Sequence, residues 1–496
     1  MGFQDASLSE INQIMEQAAL ASQVYGKMSL ISRAGFMRAI AGELDAIRET
    51  LLITAMEETH LPQPRLNGEL NRTIYQLNSY ADACVAGNWL EARIDTAIPE
   101  KMPPKPDIRK MLVPLGPVVV FGASNFPFAY STAGGDTACA LAAGCPVIVK
   151  AHPAHARTSE LAAGAIMAAA GKCGLPKGVF AHIHSSGFEG GRALVSHPAA
   201  RAVGFTGSFS GGKALFDIAS QRKEPITVFS EMGSINPVFL LSEKIRQEAE
   251  AVAKMYAASI TLSAGQFCTN PGLLVGIDGP DLEHFLDILG SEIQHIKPSS
   301  MLHPGIAAAY REKKALALSQ QEVRLVAQSD TQAEALEGIP TIASVHGDAF
   351  LSNPLLHQEV FGPYSLVIRC RNQEQMLAVA RHLEGQLTCT AMATPQDIRD
   401  NPQLMDAIGQ LCGRFILNGV PTGVEVCLSM HHGGPYPATT DSRYTSVGAD
   451  GIKRFARPLC FQNWDDQFLP DELKNANPLG IWRTVNDQLT KEPITS

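Results

Sequence analysis

The chain is expected to adopt an α/β fold, with a doubly wound parallel-sheet nucleotide-binding domain and a second α/β domain. Three observations carry that reading. At 496 residues the chain is too long for one core, so two or more domains are expected. From Val113 onward, short apolar runs alternate with alanine-rich helical stretches, the signature of parallel strands joined by crossover helices. Residues 7–90 instead repeat apolar side chains at helical spacing.

Taken in order, Ile11, Ile14, Met15, Ala18 and Leu20, then Met37, Ile40, Leu44 and Ile47, fall at roughly helical spacing, and Pro62 and Pro64 interrupt the helical region once. The stretch from Pro99 to Pro106, rich in proline and lysine, reads as an extended arm. Val118–Phe121 reads as a buried strand, Thr137–Ala143 as a helix, Val147–Val149 as a second strand and Ser159–Ala170 as a second helix. Further on, Lys213–Ser220 reads as a helix opened by a glycine turn, and Ile226–Phe229 as a strand. A second apolar α/β pattern runs from Ala249 to about Gly433, with no internal repeat and no low-complexity segment.

Composition narrows the classes. With 45% hydrophobic and 18% charged residues, the chain is globular rather than disordered. A net charge of -9 and the lack of a basic stretch argue against a nucleic-acid partner. The start Met1-Gly2-Phe3-Gln4-Asp5 has no basic region followed by an apolar core, and no apolar run reaches membrane-spanning length, so a cytoplasmic protein without a membrane partner is expected. The ten cysteines form no close-spaced pair and are expected to be mainly buried thiols. His152 and His155 flank Pro153 with no nearby Cys or Asp, so no metal site is expected.

The chemistry concentrates in a few segments. Cys268 stands in Gly265-Gln266-Phe267-Cys268-Thr269, after Glu231-Met232-Gly233. Asn125 stands in Gly122-Ala123-Ser124-Asn125-Phe126-Pro127, Lys150 closes Val147-Ile148-Val149-Lys150, and Phe205-Thr206-Gly207-Ser208 and Glu359-Val360-Phe361-Gly362-Pro363 complete the set. In this order they resemble the aldehyde dehydrogenase superfamily. The motifs span roughly residues 110 to 365, and the resemblance covers nearly the whole chain. It implies an aldehyde dehydrogenase-like fold in which residues 1–95 and 115–232 bind nucleotide and 233–439 form the catalytic domain. Residues 96–114 and 440–496 would be an arm and tail joined in a small oligomerisation sheet, so a homodimer or homotetramer is expected. The implied activity is NAD(P)-dependent oxidation of an aldehyde to an acid.

Each segment has a physical role in that chemistry. A thiolate attacks an aldehyde carbon far better than a thiol, which makes Cys268 the nucleophile. The oxyanion of the thiohemiacetal needs donors, and the backbone N–H of Cys268 and the Asn125 amide are the candidates. Hydride then leaves toward a nicotinamide, and water must cleave the thioester. Glu231 is the expected general base, provided burial raises its pKa. For the cofactor, Gly207 and Ser208 open a helix suited to the pyrophosphate, and the resemblance implies Glu359 on the nicotinamide ribose with Phe361 packing nearby. An NAD site usually carries an acid on the adenosine ribose, yet no acid follows Lys150 before Glu160. NADP is therefore favoured over NAD, with Lys150 and either His152 or Arg192 near its extra phosphate.

Substrate choice rests on Glu231-Met232-Gly233-Ser234, Thr269-Asn270-Pro271-Gly272, His432-Gly433-Gly434-Pro435-Tyr436-Pro437-Ala438-Thr439 and Asn477-Pro478-Leu479-Gly480-Ile481-Trp482. These resemble the branch containing α-ketoglutaric semialdehyde (2,5-dioxopentanoate) dehydrogenases and an NADP-dependent fatty aldehyde dehydrogenase. Arg72, in Gly68-Glu69-Leu70-Asn71-Arg72-Thr73, falls on a helix that forms a tunnel wall in the family, and a guanidinium there suits a carboxylate better than an alkyl chain. The alternative is a surface charge or a partner for Glu69. Phe126 and His432 are expected to line the same tunnel, the alternative for His432 being an exposed loop pair with His431. A non-catalytic protein on this fold and a coenzyme A-acylating enzyme also stand open; intact Asn125, Glu231 and Cys268 argue against the first, and a hydrolytic Glu231 against the second.

Overall fold

Four helices open the chain, Leu8–Tyr25, Leu30–Ala46, Arg48–Thr59 and Gln63–Ala86, in a computed structural model that describes residues 3–495. Ser7 and Glu10 form a capping box at the first, and the Ser29 side chain caps the second. His60, in the left-handed region at φ 58, ends the third, and Pro64 sits in the first turn of the fourth. The proline pair thus starts the helix that carries Arg65, Glu69 and Arg72.

The nucleotide-side sheet has five parallel strands in the order Phe180–Ile183, Val147–Lys150, Val118–Phe121, Ala202–Thr206, Thr227–Glu231. Its central strand, Val118–Phe121, is wholly buried and is the first in sequence, so the order reverses beside it and leaves a crevice at the carboxyl ends. Helices Gly135–Ala143, Ala156–Lys172, Phe188–Ser196 and Phe209–Ser220 belong to this unit. The doubly wound reading therefore holds, with helices longer than their apolar cores and Val118–Phe121 spanning the residues expected. The last helix departs most. It begins at Phe209 rather than Lys213, because Ser208 caps it by accepting from Gly211 N at 3.2 Å, which places Gly211 and Gly212 inside the first turn.

The second α/β unit is a seven-stranded sheet in the order Arg324–Gln328, Thr341–His346, Tyr364–Cys370, Leu273–Ile277, Val238–Leu240, Gln386–Met392, Cys412–Leu417. Only the edge strand Arg324–Gln328 runs antiparallel. A separate five-stranded sheet joins Ala456–Gln462, Ile108–Pro114, Arg93–Asp95, Arg483–Val485 and Gln488–Thr490. The two large units are stitched at one edge. Met232 N donates to Ala438 O at 2.8 Å and Ser230 N to Thr440 Oγ1 at 2.9 Å, so the segment after Gly434 runs along the last nucleotide-side strand. Among the described residues, no helix is long and apolar enough to cross a membrane.

Candidate active site

Three strand ends of the nucleotide-side sheet converge on one cleft. Asn125 lies in the loop after Val118–Phe121, Ser208 after Ala202–Thr206, and Glu231 is the last residue of Thr227–Glu231. Parallel strands point all their carboxyl ends the same way, which is why residues far apart in sequence meet. From the opposite side, the second α/β unit contributes Cys268, Glu359 and Phe361. These six, with Gly207, line a cleft of about 240 Å³.

Cys268 sits on a turn built from unusual backbone. Ser263, Ala264 and Gly265 have φ of 50°, 53° and 64°, a left-handed run that costs the two non-glycine residues strain. The missing Cβ of Gly265 lets the Gly362 backbone pack directly against it. Asn236 secures the loop: its Nδ2 donates to Cys268 O at 2.8 Å and Asn270 O at 2.9 Å. It is itself held at φ 46°, which Asn tolerates better than most residues. Nothing in the sequence singled out Asn236.

Around the thiol the structure departs from expectation. His432 is not part of an exposed loop pair; it is buried between Cys268 and Glu231, with Nε2 3.7 Å from Cys268 Sγ and 3.0 Å from Glu231 Oε1. The Oε1 contact is out of line for the ring N–H, so that oxygen and His432 Nδ1 are both buried without a hydrogen bond. The other Glu231 oxygen accepts from Ser446 Oγ at 2.7 Å. Burial by itself raises the Glu231 carboxyl, but the adjacent His432 and the Ser446 hydroxyl outweigh it and hold it below the usual carboxylate range. This corrects the expectation of a raised Glu231. The Cys268 thiol moves the other way, raised well above its ordinary value by burial first and by the Glu231 carboxylate second. At rest it carries its proton, and a proton acceptor must act as it attacks.

Beside the thiol, outside the residues that line this cleft, lies a cluster of aromatics and arginines. Phe126 is buried against Tyr130 and Phe267, with ring centroids 5.2 and 5.6 Å away, and the Arg65 guanidinium lies 4.5 Å above its ring. Arg65 also pairs with Glu69 at 2.5 Å, while the second Glu69 oxygen accepts from the N–H of Phe128 and Ala129. Glu69 is thus fully engaged without Arg72. Arg72 instead donates to Tyr130 OH at 3.0 Å, and the Tyr130 ring lies 6.2 Å from that of His432. Arg414, on Cys412–Leu417, bonds Gly423 O and Pro421 O and lies within electrostatic reach of Cys268. Arg65, Tyr130, Arg414 and Ser446 were all missed, since a lone Arg, Tyr or Ser carries no spacing signal. Asn125 spends one amide hydrogen on Gln266 O at 3.2 Å, leaving the other for an oxyanion.

The expected cofactor residues divide into two groups. Gly207, Ser208, Glu359 and Phe361 share the cleft wall with Cys268. A Cβ on Gly233 would fall 2.5 Å from Glu359 Oε2, so glycine there makes room for that carboxylate. Burial raises the Glu359 carboxyl to about 7. Lys150, His152 and Arg192 are not in that wall. Lys150 is half-buried at its strand end and Arg192 is exposed on Phe188–Ser196. His152 supplies no positive charge to a phosphate, because burial lowers it to about 3 and its Nδ1 accepts from Ala154 N. Asp5, bonded to Ser186, lies within electrostatic reach of Lys150, an acid that reading forward from Lys150 could not find.

Residues 1–434 match the profile described as "Aldehyde dehydrogenase family". The chain is 46% identical over 479 residues to alpha-ketoglutaric semialdehyde dehydrogenase 2 of Azospirillum brasilense, covering 96% of this chain and 91% of that one. It is 42% identical to the alpha-ketoglutaric semialdehyde dehydrogenase of Acinetobacter baylyi, covering 99% and 93%. Among solved structures it superposes on a Thermus 1-pyrroline-5-carboxylate dehydrogenase with bound NAD, at TM-score 0.79 and 20% identity, over 92% of this chain and 86% of that one. That last likeness is one of fold.

Proposed function

The chain belongs to the aldehyde dehydrogenase family, and from that premise we propose that it oxidises 2,5-dioxopentanoate (α-ketoglutaric semialdehyde) to 2-oxoglutarate. That it is an aldehyde-oxidising enzyme of the NAD(P)-using family follows from membership over most of its length. The choice of substrate rests on one observation above the others: Arg72 is bonded to Tyr130, whose ring neighbours His432, and lies within electrostatic reach of Cys268. A forked donor there suits the far carboxylate of a short semialdehyde, and the two relatives named for that substrate support it.

The residues divide the work. As Cys268 Sγ bonds the aldehyde carbon, its proton passes to His432 Nε2, and the Glu231 carboxylate beside the ring stabilises the imidazolium. The aldehyde oxygen becomes an oxyanion that the free Asn125 N–H meets. Glu359 and Phe361 would hold the nicotinamide half of the cofactor, and the Ser208-capped helix start its pyrophosphate. A nicotinamide bound in this cleft supplies the acceptor for the hydride lost when the thiohemiacetal becomes a thioester. Water then attacks the thioester carbon while Glu231 takes its proton, the carbon–sulfur bond breaks, and the acid leaves. A carboxylate held low by His432 is a weaker base than one raised by burial, so the proton on His432 leaves to solvent before this step, and the water proton taken by Glu231 then returns to Cys268 Sγ.

NADP is proposed to serve at least as well as NAD, Lys150 being the cation at the adenosine end. With His152 neutral and Asp5 nearby, the margin is narrower than the sequence suggested. The separate five-stranded sheet is proposed as the contact between copies in a homodimer or homotetramer. A panel of 2,5-dioxopentanoate, a neutral aldehyde of equal length and a long alkyl aldehyde, run with each cofactor and with or without coenzyme A, tests the reading. We expect kcat/KM highest for the acidic semialdehyde, with no dependence on coenzyme A; preference for the long alkyl aldehyde would move the protein to the fatty-aldehyde branch, and a requirement for coenzyme A would make it an acylating enzyme.

A further inference from the structure

Three donor atoms of different chemistry converge in the cleft. Cys268 Sγ, His432 Nε2 and Glu231 Oε1 all lie within 4.8 Å of one another. Sγ is 3.7 Å and Oε1 3.0 Å from the same imidazole nitrogen. Sγ and Nε2 share a hydrogen bond, but Oε1 has none although the Glu231 side chain is only 4% exposed, so a buried carboxylate oxygen is left without a partner beside the other two donors.

We propose that Cys268, His432 and Glu231 form a zinc-binding site, in which a thiolate, an imidazole and a carboxylate hold Zn²⁺ and the fourth position opens into the cleft. Zinc bonds to sulfur at about 2.3 Å and to nitrogen or oxygen at about 2.0–2.2 Å, so a tetrahedral ion spaces its donors about 3.4–3.6 Å apart. The 3.7 and 3.0 Å separations bracket that range. A mixed sulfur, nitrogen and oxygen set also suits zinc rather than magnesium or calcium, which take oxygen ligands. The donors stand 37 and 164 positions apart in the chain, which hides them from any spacing motif.

Binding forms the zinc–sulfur bond and expels the thiol proton to solvent, so metal affinity rises with pH. Nucleophile and base are then occupied together, and the enzyme is reversibly inhibited. The inference rests on the catalytic assignment above but not on which aldehyde is oxidised.

Cobalt and zinc titrations of the full-length enzyme test it. With Co²⁺ we expect one ion per chain, a sulfur-to-cobalt charge-transfer band in the near ultraviolet and the intense visible absorption of a tetrahedral ion. Zn²⁺ should bleach that spectrum, shield Cys268 from alkylation and inhibit turnover until a chelator is added. In His432→Ala, and separately in Glu231→Gln, half-saturation should require about 100-fold more metal, judged from the spectrum rather than from activity. Cys268→Ser should lose the charge-transfer band altogether. Nucleotide binding by each variant reports that it is folded. Absence of the thiolate band in the wild type, or unchanged metal affinity in His432→Ala, overturns the site. Failure of the aldehyde panel while the cobalt spectrum persists would touch only the substrate reading.

Discussion

The nucleotide-side wall of the cleft and the surroundings of the thiol are built in different ways. The nucleotide-side wall takes Asn125, Ser208 and Glu231 from the ends of consecutive parallel strands, so the regular sheet places them with little help from their own contacts. The surroundings of the thiol take His432 from a loop held by Thr445 and Ser446, Arg72 from a helix 58 positions before its partner Tyr130, and Arg414 from a distant strand. The first region is fixed by topology and the second by individual side chains. Single substitutions should therefore be tolerated structurally in the first region and should re-tune specificity in the second.

The sharpest test separates chemistry from binding. Cys268→Ala should lower aldehyde oxidation by about 10⁴-fold or more, while nucleotide affinity, which uses other side chains of the cleft, stays within about twofold; steady-state assays and a cofactor titration read the two. Near wild-type turnover would undo the assignment. Next in size, Glu231→Gln should slow turnover by about 10²- to 10⁴-fold yet still release one equivalent of reduced cofactor per site in a rapid-mixing burst. A slow first turnover without acyl accumulation would move Glu231 into thiol activation and leave His432 without that role.

Arg72→Ala should lower kcat/KM for 2,5-dioxopentanoate by about 10- to 100-fold, the worth of a charge-assisted hydrogen bond. A neutral aldehyde of equal length should change little. Equal losses on both would show that Arg72 only supports Tyr130. The smallest effect belongs to the nucleotide side. Burial holds the Glu359 carboxyl at about 7, and its ionised form is the better acceptor for ribose hydroxyls. Cofactor affinity should rise by about threefold as pH climbs through 7, and Glu359→Gln should flatten that profile in a fluorescence titration. Because this carboxyl is raised in the folded state, its effect on folding has the opposite sign: the proton is held more tightly than in the unfolded chain, and stability declines as pH rises from the ordinary carboxylate value through about 7.

Much of the nucleotide side was legible because its signals are local. Apolar runs gave the strands, and a serine before a glycine-rich turn gave a helix start, although the cap itself moved that start four residues earlier than the turn suggested. The acid near Lys150 was not legible, since Asp5 arrives from the far end of the chain. On the thiol side, Cys268 and Glu231 could be named from their motifs, but the sign of the Glu231 shift could not. It depends on His432 and Ser446, which approach only when the segment after Gly434 lies along the last nucleotide-side strand.

The sequence by itself determined the α/β class and the crossover topology of the first sheet, and it singled out Cys268 and Glu231 as candidates, because hydrophobic period and short motifs are properties of neighbouring residues. Only the tertiary structure decided that Arg72 turns to Tyr130 rather than Glu69, that His152 is neutral, and that Cys268, Glu231 and His432 share one point in space. Those outcomes depend on burial and on electrostatic partners within a few ångströms, and both quantities exist only once distant segments have packed.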